Sequence, residues 1–581
     1  MRPWLQRLAG YLDESRIGLA RPDSLLPLAL LGLVTGLIAG AVIVVFRLLV
    51  EGLQVWLLPG DNPENFEGLT GWPLFVLPVL AGVLLALMFR WFGRGQHVLG
   101  VARLLECMQY HQGRCSLRAF WLQFAGAGIA IAGGHSVGRE GPHIFLGGAA
   151  GSLLGQRLAL PHNAIRALAG CGSAAGIAAS FNTPLAGVVF ALEVVMMEYS
   201  VASFIPVILA AVSATTLSRW VFGDAPAFDV PVMHLGSLHE LWLVLLLGVV
   251  AGAVSAAFVS AVRQVAAQSR PWPIEARLVL AGVLMGGCGW LVPEVMGIGY
   301  DTVGLALHGG LALGLLVILL VAKLVATTLC IGLGVPGGVI GPTLFIGAVL
   351  GALVAGLAAA SPLGGPDQVG LFALLGMGAM MSASLQAPLA ALTAILELTD
   401  NPETILPGML AVVVAGLTAK VGFGQDSLFL TMLRAGGLDY APNPVSQALR
   451  RIGVAGVMQR RVIVLDAQLS RGRLREALKS NPVYVLVRTV EGSLQTLPAV
   501  DLVRQLGEEE GGDAQEPIDL AEVPADRLTT GHIDLRASLH EAWLALEDGT
   551  VDALLVRRGG PEGQVRGVLT REAVEGAYRV A

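Results

Sequence analysis

The stretch Gly133-Gly134-His135-Ser136-Val137-Gly138-Arg139-Glu140-Gly141-Pro142 sets an arginine and a glutamate between two apolar segments. Glycine and proline around them mark a helix start, where the first backbone N–H groups lack an acceptor in their own helix. Such an end presents about half a positive charge along with those donors, which suits a small anion. A second stretch, Gly334-Val335-Pro336-Gly337-Gly338-Val339-Ile340-Gly341-Pro342, offers another helix start without a charged side chain. Two such ends converging at mid-membrane would hold an anion without a full fixed positive charge, weakly enough to release it. Glu140 is the expected gate. Its carboxylate can take the place of the anion, and protonation or displacement then opens the path. The competing reading is a structural pair with Arg139, or a cap at the helix start. Adjacent residues point apart on a helix, which makes a direct pair poor, and intramembrane acids are functional by default.

These ends need elements that bring them to membrane depth. Leu25–Val50, Trp72–Phe92, Leu241–Val262, Ala276–Leu291 and Leu311–Leu333 read as spanning helices, since a bilayer core takes roughly 20 apolar residues at helical rise. Six other segments are shorter or interrupted by Gly, Pro or Asn: 141–158, 164–180, 184–197, 341–357, 371–381 and 388–398. Broken helices at that depth survive only where protein or a polar cavity covers their ends.

The breaks recur in pairs. Gly141-Pro142, Phe145, Gly147 and Gly151 match Gly341-Pro342, Phe345, Gly347 and Gly351 at an offset of 200 residues. Ser180, Pro184-Leu185-Ala186 and Glu193 match Ser384, Pro388-Leu389-Ala390 and Glu397 at an offset of 204. Paired broken segments in two halves point to a transporter-type site at the repeat interface. The matched acids Glu193 and Glu397 are expected to brace the two half-helices.

Composition agrees. Of 581 residues, 54% are hydrophobic and 14% charged, against the roughly one quarter charged of soluble domains. The long apolar runs end near residue 424. A net charge of −6 without a basic block excludes a nucleic-acid partner. Neither the cysteines nor the histidines show metal-ligand spacing, and no nucleophile–base constellation suggests an enzyme. Arg2, Arg7, Arg16 and Arg21 precede the first span, which places the N-terminus in the cytoplasm.

From Asn443 the texture changes to strand-like alternation with frequent charges. Two strand-helix-strand-strand-helix units, separated by an acidic linker at 507–516, predict an α+β tail.

Three stretches, Gly138-Arg139-Glu140-Gly141-Pro142, Phe181-Asn182-Thr183-Pro184-Leu185-Ala186-Gly187 and Gly337-Gly338-Val339-Ile340-Gly341-Pro342, together resemble the CLC family of chloride channels and proton/chloride exchangers. The likeness covers about residues 25–435, and the tail resembles a CBS-domain pair. It implies an all-α polytopic membrane domain of inverted repeats over 25–435, behind an N-terminal cytoplasmic segment at 1–24. A cytoplasmic α+β CBS pair would occupy 436–581. It also implies a multi-pass protein of the inner or plasma membrane, a homodimer with one pore per subunit, and chloride or a similar halide as cargo. Glu140 is the implied gate, with anion contacts at Gly138, Arg139, Gly141, Gly338, Val339 and Ile340. CBS pairs can bind adenine nucleotides; Thr570 is kept, but Ala573 and Asp501 fit that pattern poorly, so a tail that only stabilises a dimer is the alternative.

Three positions depart from the family pattern. Gln96, in Gly95-Gln96-His97-Val98-Leu99, stands where a serine usually helps select the ion. Phe429 stands where a tyrosine caps the inner anion site. Val194 stands where exchangers typically carry a proton-relaying glutamate. Valine carries no proton, so passive, channel-like conduction is expected. Coupled chloride/proton antiport is the alternative, and a non-transporting scaffold or sensor is the third reading.

Overall fold

The computed structural model describes residues 18–21, 24–60, 62–95, 99–224, 228, 230, 233–360, 368–399, 401–438, 443–489, 493–508, 515–560 and 562–580. The chain divides into two compact units, one of residues 28–158 and 165–440, the other of 1–27, 159–164 and 441–581. Gln96, the expected ion-selecting position, lies outside the described residues.

The larger unit is all-helical. Its helices are α1 (Leu25–Leu57), α2 (Pro73–Met88), α3 (Gly100–Tyr110), α4 (Leu117–Ala132), α5 (Glu140–Arg157), α6 (His162–Phe181), α7 (Pro184–Phe190), α8 (Val201–Phe222) and α9 (Leu241–Ser269). They continue as α10 (Ile274–Leu291), α11 (Tyr300–Leu307), α12 (Leu313–Leu333), α13 (Ile340–Ala359), α14 (Val369–Leu385), α15 (Pro388–Thr399), α16 (Ile405–Leu417) and α17 (Leu428–Ala435). Among the described residues, nine helices are long and apolar enough to cross a membrane. Exposed Leu30, Leu49, Leu80 and Val321 line the outer helices, while α6 and α13 are 89% and 83% buried over their most apolar stretches. These two broken segments are thus inner helices, as the need to cover their free ends demands.

The breaks have local causes. Pro142 and Pro342 sit third in α5 and α13, and Pro184 and Pro388 start α7 and α15, positions where the missing N–H is harmless. Ahead of each of the last two, the chain turns through a left-handed residue, Asn182 (φ 62°) and Gln386 (φ 56°), a common helix stop. Those two residues are again 204 apart.

The repeat extends to packing. A Cβ on Gly147 would lie 2.1 Å from the Gly172 carbonyl, and one on Gly347 would lie 2.3 Å from that of Gly376. Only glycine lets α5 cross α6, and α13 cross α14, at that distance. The pairs Gly151 with Leu168 and Gly351 with Phe372 repeat the contact one turn on, at 2.1 and 1.8 Å. Close backbone approach by small residues is how helices associate where lipid removes the hydrophobic drive.

The second unit holds α18 (Pro444–Arg451), α19 (Val454–Val457), β1 (Val462–Asp466), β2 (Gln468–Ser470), α20 (Arg471–Leu478), β3 (Tyr484–Arg488), β4 (Leu494–Pro498) and α21 (Ala499–Glu508). It ends with β5 (Pro517–Asp519), β6 (Thr530–Asp534), α22 (Leu539–Glu547), β7 (Ala553–Arg558), β8 (Gln564–Thr570) and α23 (Arg571–Val580). Sheets β1-β3-β4 and β6-β7-β8 share one topology, a parallel pair followed by an antiparallel one. This is the doubled α+β unit expected from the sequence. After α19 the chain enters β1 at Val462. A short extra sheet, β2 with β5, adds to the pattern.

Candidate anion site

The starts of α5 and α13 meet. Gly138 and Gly338 exchange two hydrogen bonds, each N–H donating to the other's carbonyl at 2.7 Å. A Cβ on Gly141 would come within 2.6 Å of the Gly338 Cα, so glycine is what admits this approach. The N–H groups of Gly138 and Gly338, two of the expected anion contacts, are engaged with each other's carbonyls. Val339 and Ile340, at the head of α13, carry N–H groups that the helix itself leaves without acceptors.

Glu140 is fully buried at this junction. Its Oε2 accepts from the Gly341 N–H at 3.1 Å, and its Oε1 accepts from the Tyr300 hydroxyl. Oε2 also lies where side chains on Gly138 or Gly341 would intrude, 2.3 and 3.1 Å from their would-be Cβ atoms. The carboxylate therefore takes a backbone N–H of the opposite half-helix, as an anion would.

Among the described residues Arg139 is ion-paired with Glu51 and not with Glu140. Its Nη1 donates to Glu51 Oε1 at 3.1 Å, and its guanidinium lies 5.4 Å from the centre of the Tyr300 ring. Glu51 also pairs with Arg47 at 2.6 Å. The side chain of Arg139, expected among the anion contacts, thus shares the Glu51 carboxylate with Arg47.

Residues 81–420 match the family described as voltage gated chloride channel. The chain belongs to that family. It is 34% identical to a ClcB-like chloride channel protein of Ralstonia nicotianae, over 70% of this chain and 96% of that one. It is 29% identical to the H(+)/Cl(-) exchange transporter ClcA of Salmonella paratyphi B, over 72% of this chain and 91% of that one. A crystal structure of a eukaryotic CLC transporter has the same fold, with a TM-score of 0.60 at 20% identity, over 94% of this chain and 98% of that one. The chain is therefore a multi-pass membrane protein for anion transport, not an enzyme.

Several parts of this CLC site escape sequence reasoning. Tyr300 starts α11, and its own N–H donates to Glu64 Oε2 at 3.1 Å. Burial pushes the Glu64 carboxyl up, against the pull of Arg139. The loop before Tyr300 is held by Lys323, fully buried on α12. Its ammonium donates to the carbonyls of Val295, Gly297 and Ile298, each at 3.1 Å. A lone lysine inside the apolar run 313–333 was the legible signal, because a buried cation must find acceptors. Tyr300 left no such trace.

Glu193 and Glu397 form a reciprocal brace. Glu397 accepts from the N–H groups of Leu185 and Ala186 at 2.8 and 2.7 Å. Glu193 accepts from those of Leu389 and Ala390 at 3.2 and 2.8 Å. Each acid caps the half-helix of the other repeat. Val194, next to Glu193, is buried.

A cavity of about 580 Å³ reaches from Val339 to α17, with Gly141, Gly338 and Phe429 in its wall. Phe429 packs edge-on against Phe190, ring centres 6.3 Å apart.

Proposed function

We propose that this chain carries chloride or a similar halide across the membrane along a path gated by Glu140. The observation that supports it is the Glu140 carboxylate bonded to Gly341 N–H at the meeting of two half-helix starts. In this reading the carboxylate occupies the anion position and competes with the halide for the same amides. Gly141, Val339 and Ile340 flank that position, and Arg139 balances Glu51 beside it. Protonation removes the negative charge and weakens the hold of the helix ends. The active form is a homodimer with one path per subunit and both termini in the cytoplasm. The doubled α+β unit is the regulatory or dimer-stabilising tail, with an adenine nucleotide as the one cofactor its CBS-like pattern allows.

Uncoupled conduction is the first reading of mode. Val194 supplies no proton carrier at the inner position, and Phe429 gives the inner end no hydroxyl to close around an anion. Coupled exchange is the second, favoured by the likeness to the ClcA exchanger. The deciding experiment reconstitutes the protein in liposomes, imposes a chloride gradient, and records anion efflux and internal pH together. Efflux without a pH change supports the channel. A fixed ratio of protons to chloride establishes exchange instead. A protein that moves no anion overturns the transport reading.

A further inference from the structure

We infer that the cavity between α13 and α17 holds an anion-collecting site in which Arg277 and Arg270 draw a halide toward Val339. The inference rests on the anion-transport reading and extends it to the capture step. Four charged side chains line the cavity among the described residues: Arg103, Glu106, Arg270 and Arg277. Arg103 and Glu106 form an ion pair and neutralise each other. Arg270 and Arg277 have no acidic partner among the described residues. Among the described residues the wall therefore carries two positive charges without an acidic partner.

Arg277 is the sharper of the two. Its Nε is buried and finds no hydrogen-bond acceptor, which is unfavourable for a donor of a charged group unless something else accepts. A halide entering the cavity is such an acceptor. The rest of the wall includes apolar Leu428, Phe429 and Met432, and low-dielectric walls of that kind concentrate the field of a charge. Phe429 contributes no hydroxyl, so guanidinium N–H groups are the side-chain donors at this end. Half-exposed arginines are also screened by salt. They raise the local anion concentration without trapping it.

The test uses the full-length protein in liposomes, with chloride efflux measured against chloride concentration at low ionic strength. Arg277→Gln is expected to raise the KM for chloride about fivefold, with the maximal rate changed far less. Arg277→Lys, which keeps the charge, should stay within about twofold of wild type. Added sodium gluconate near 1 M should erase the difference by screening. Arg270 is exposed, so Arg270→Glu tests the same field without disturbing packing and should raise KM as well. An unchanged KM in both Arg277→Gln and Arg270→Glu, beside an active wild type, overturns the site. A wild type that moves no anion overturns the transport reading itself, and the collecting site falls with it.

Discussion

Glu140 is held by two donors of different kinds, a backbone amide that cannot leave and a phenol that can be removed by one substitution. Tyr300→Phe deletes the second while keeping the ring against Phe228, 4.7 Å between centres. One hydrogen bond to a charged group contributes enough to shift an equilibrium by about tenfold. Chloride efflux at neutral pH should therefore rise by about that factor in Tyr300→Phe. No increase would mean that the tyrosine does not restrain the gate. Glu140→Gln keeps the shape but loses the charge and the proton. Its flux should be high and indifferent to pH, and a wild-type pH response in that variant would remove Glu140 from the gate. Glu140 was legible as sequence because an acid beside Gly-Pro at membrane depth has few structural uses. Tyr300 was not, because nothing local marks a residue 160 positions away as its partner.

The half-helices are the next scale, and their ends decide whether they persist. Glu397 supplies an acceptor to the second and third residues of α7, and Glu193 does the same for α15. Removing one leaves two N–H groups without a partner, and the loss of a helix cap costs about 1–2 kcal/mol. Glu397→Ala and Glu193→Ala should each lower the unfolding temperature in detergent, with the Gln variants losing less. If Glu193 acts only as a brace, Glu193→Gln should keep the wild-type ratio of proton to chloride movement, whatever that ratio is. A changed ratio would make it a proton carrier. The matched offsets of 200 and 204 residues foretold this symmetry in outline. That each acid caps the other repeat, and not its own, required the fold.

At the scale of the whole molecule the second unit has its own acid sensitivity. Glu541 on α22 accepts from Ser538 N–H at 2.8 Å and contacts His162 Nδ1 at 3.0 Å. Burial resists its ionisation, but His162 and Ser538 outweigh that and hold the carboxyl below the ordinary 4.5. A depressed carboxylate stabilises the fold above its unfolded value and loses that contribution as pH falls through the folded one. Acidification below about pH 4.5 should thus loosen the β6–α22 corner. Hydrogen exchange of peptides from 530–547 in the intact protein reads this directly. Glu541→Gln should flatten that part of the acid response; an equal response in the variant would assign it to other groups, among them Asp534 beside Arg536.

The order of apolar runs, the paired Gly-Pro breaks and the change of texture near residue 440 were properties of the sequence alone. They follow from hydropathy, from proline's missing donor and from glycine's missing side chain, which act within a few residues. Gly138 and Gly338, expected among the anion contacts, bond each other, and Arg139 bonds Glu51. Those outcomes, like the meeting of Glu140 with Tyr300 and the charged wall around Arg277, join positions far apart in the chain. Which backbone donors are taken and which stay open is set by which elements touch, and only tertiary packing decides that.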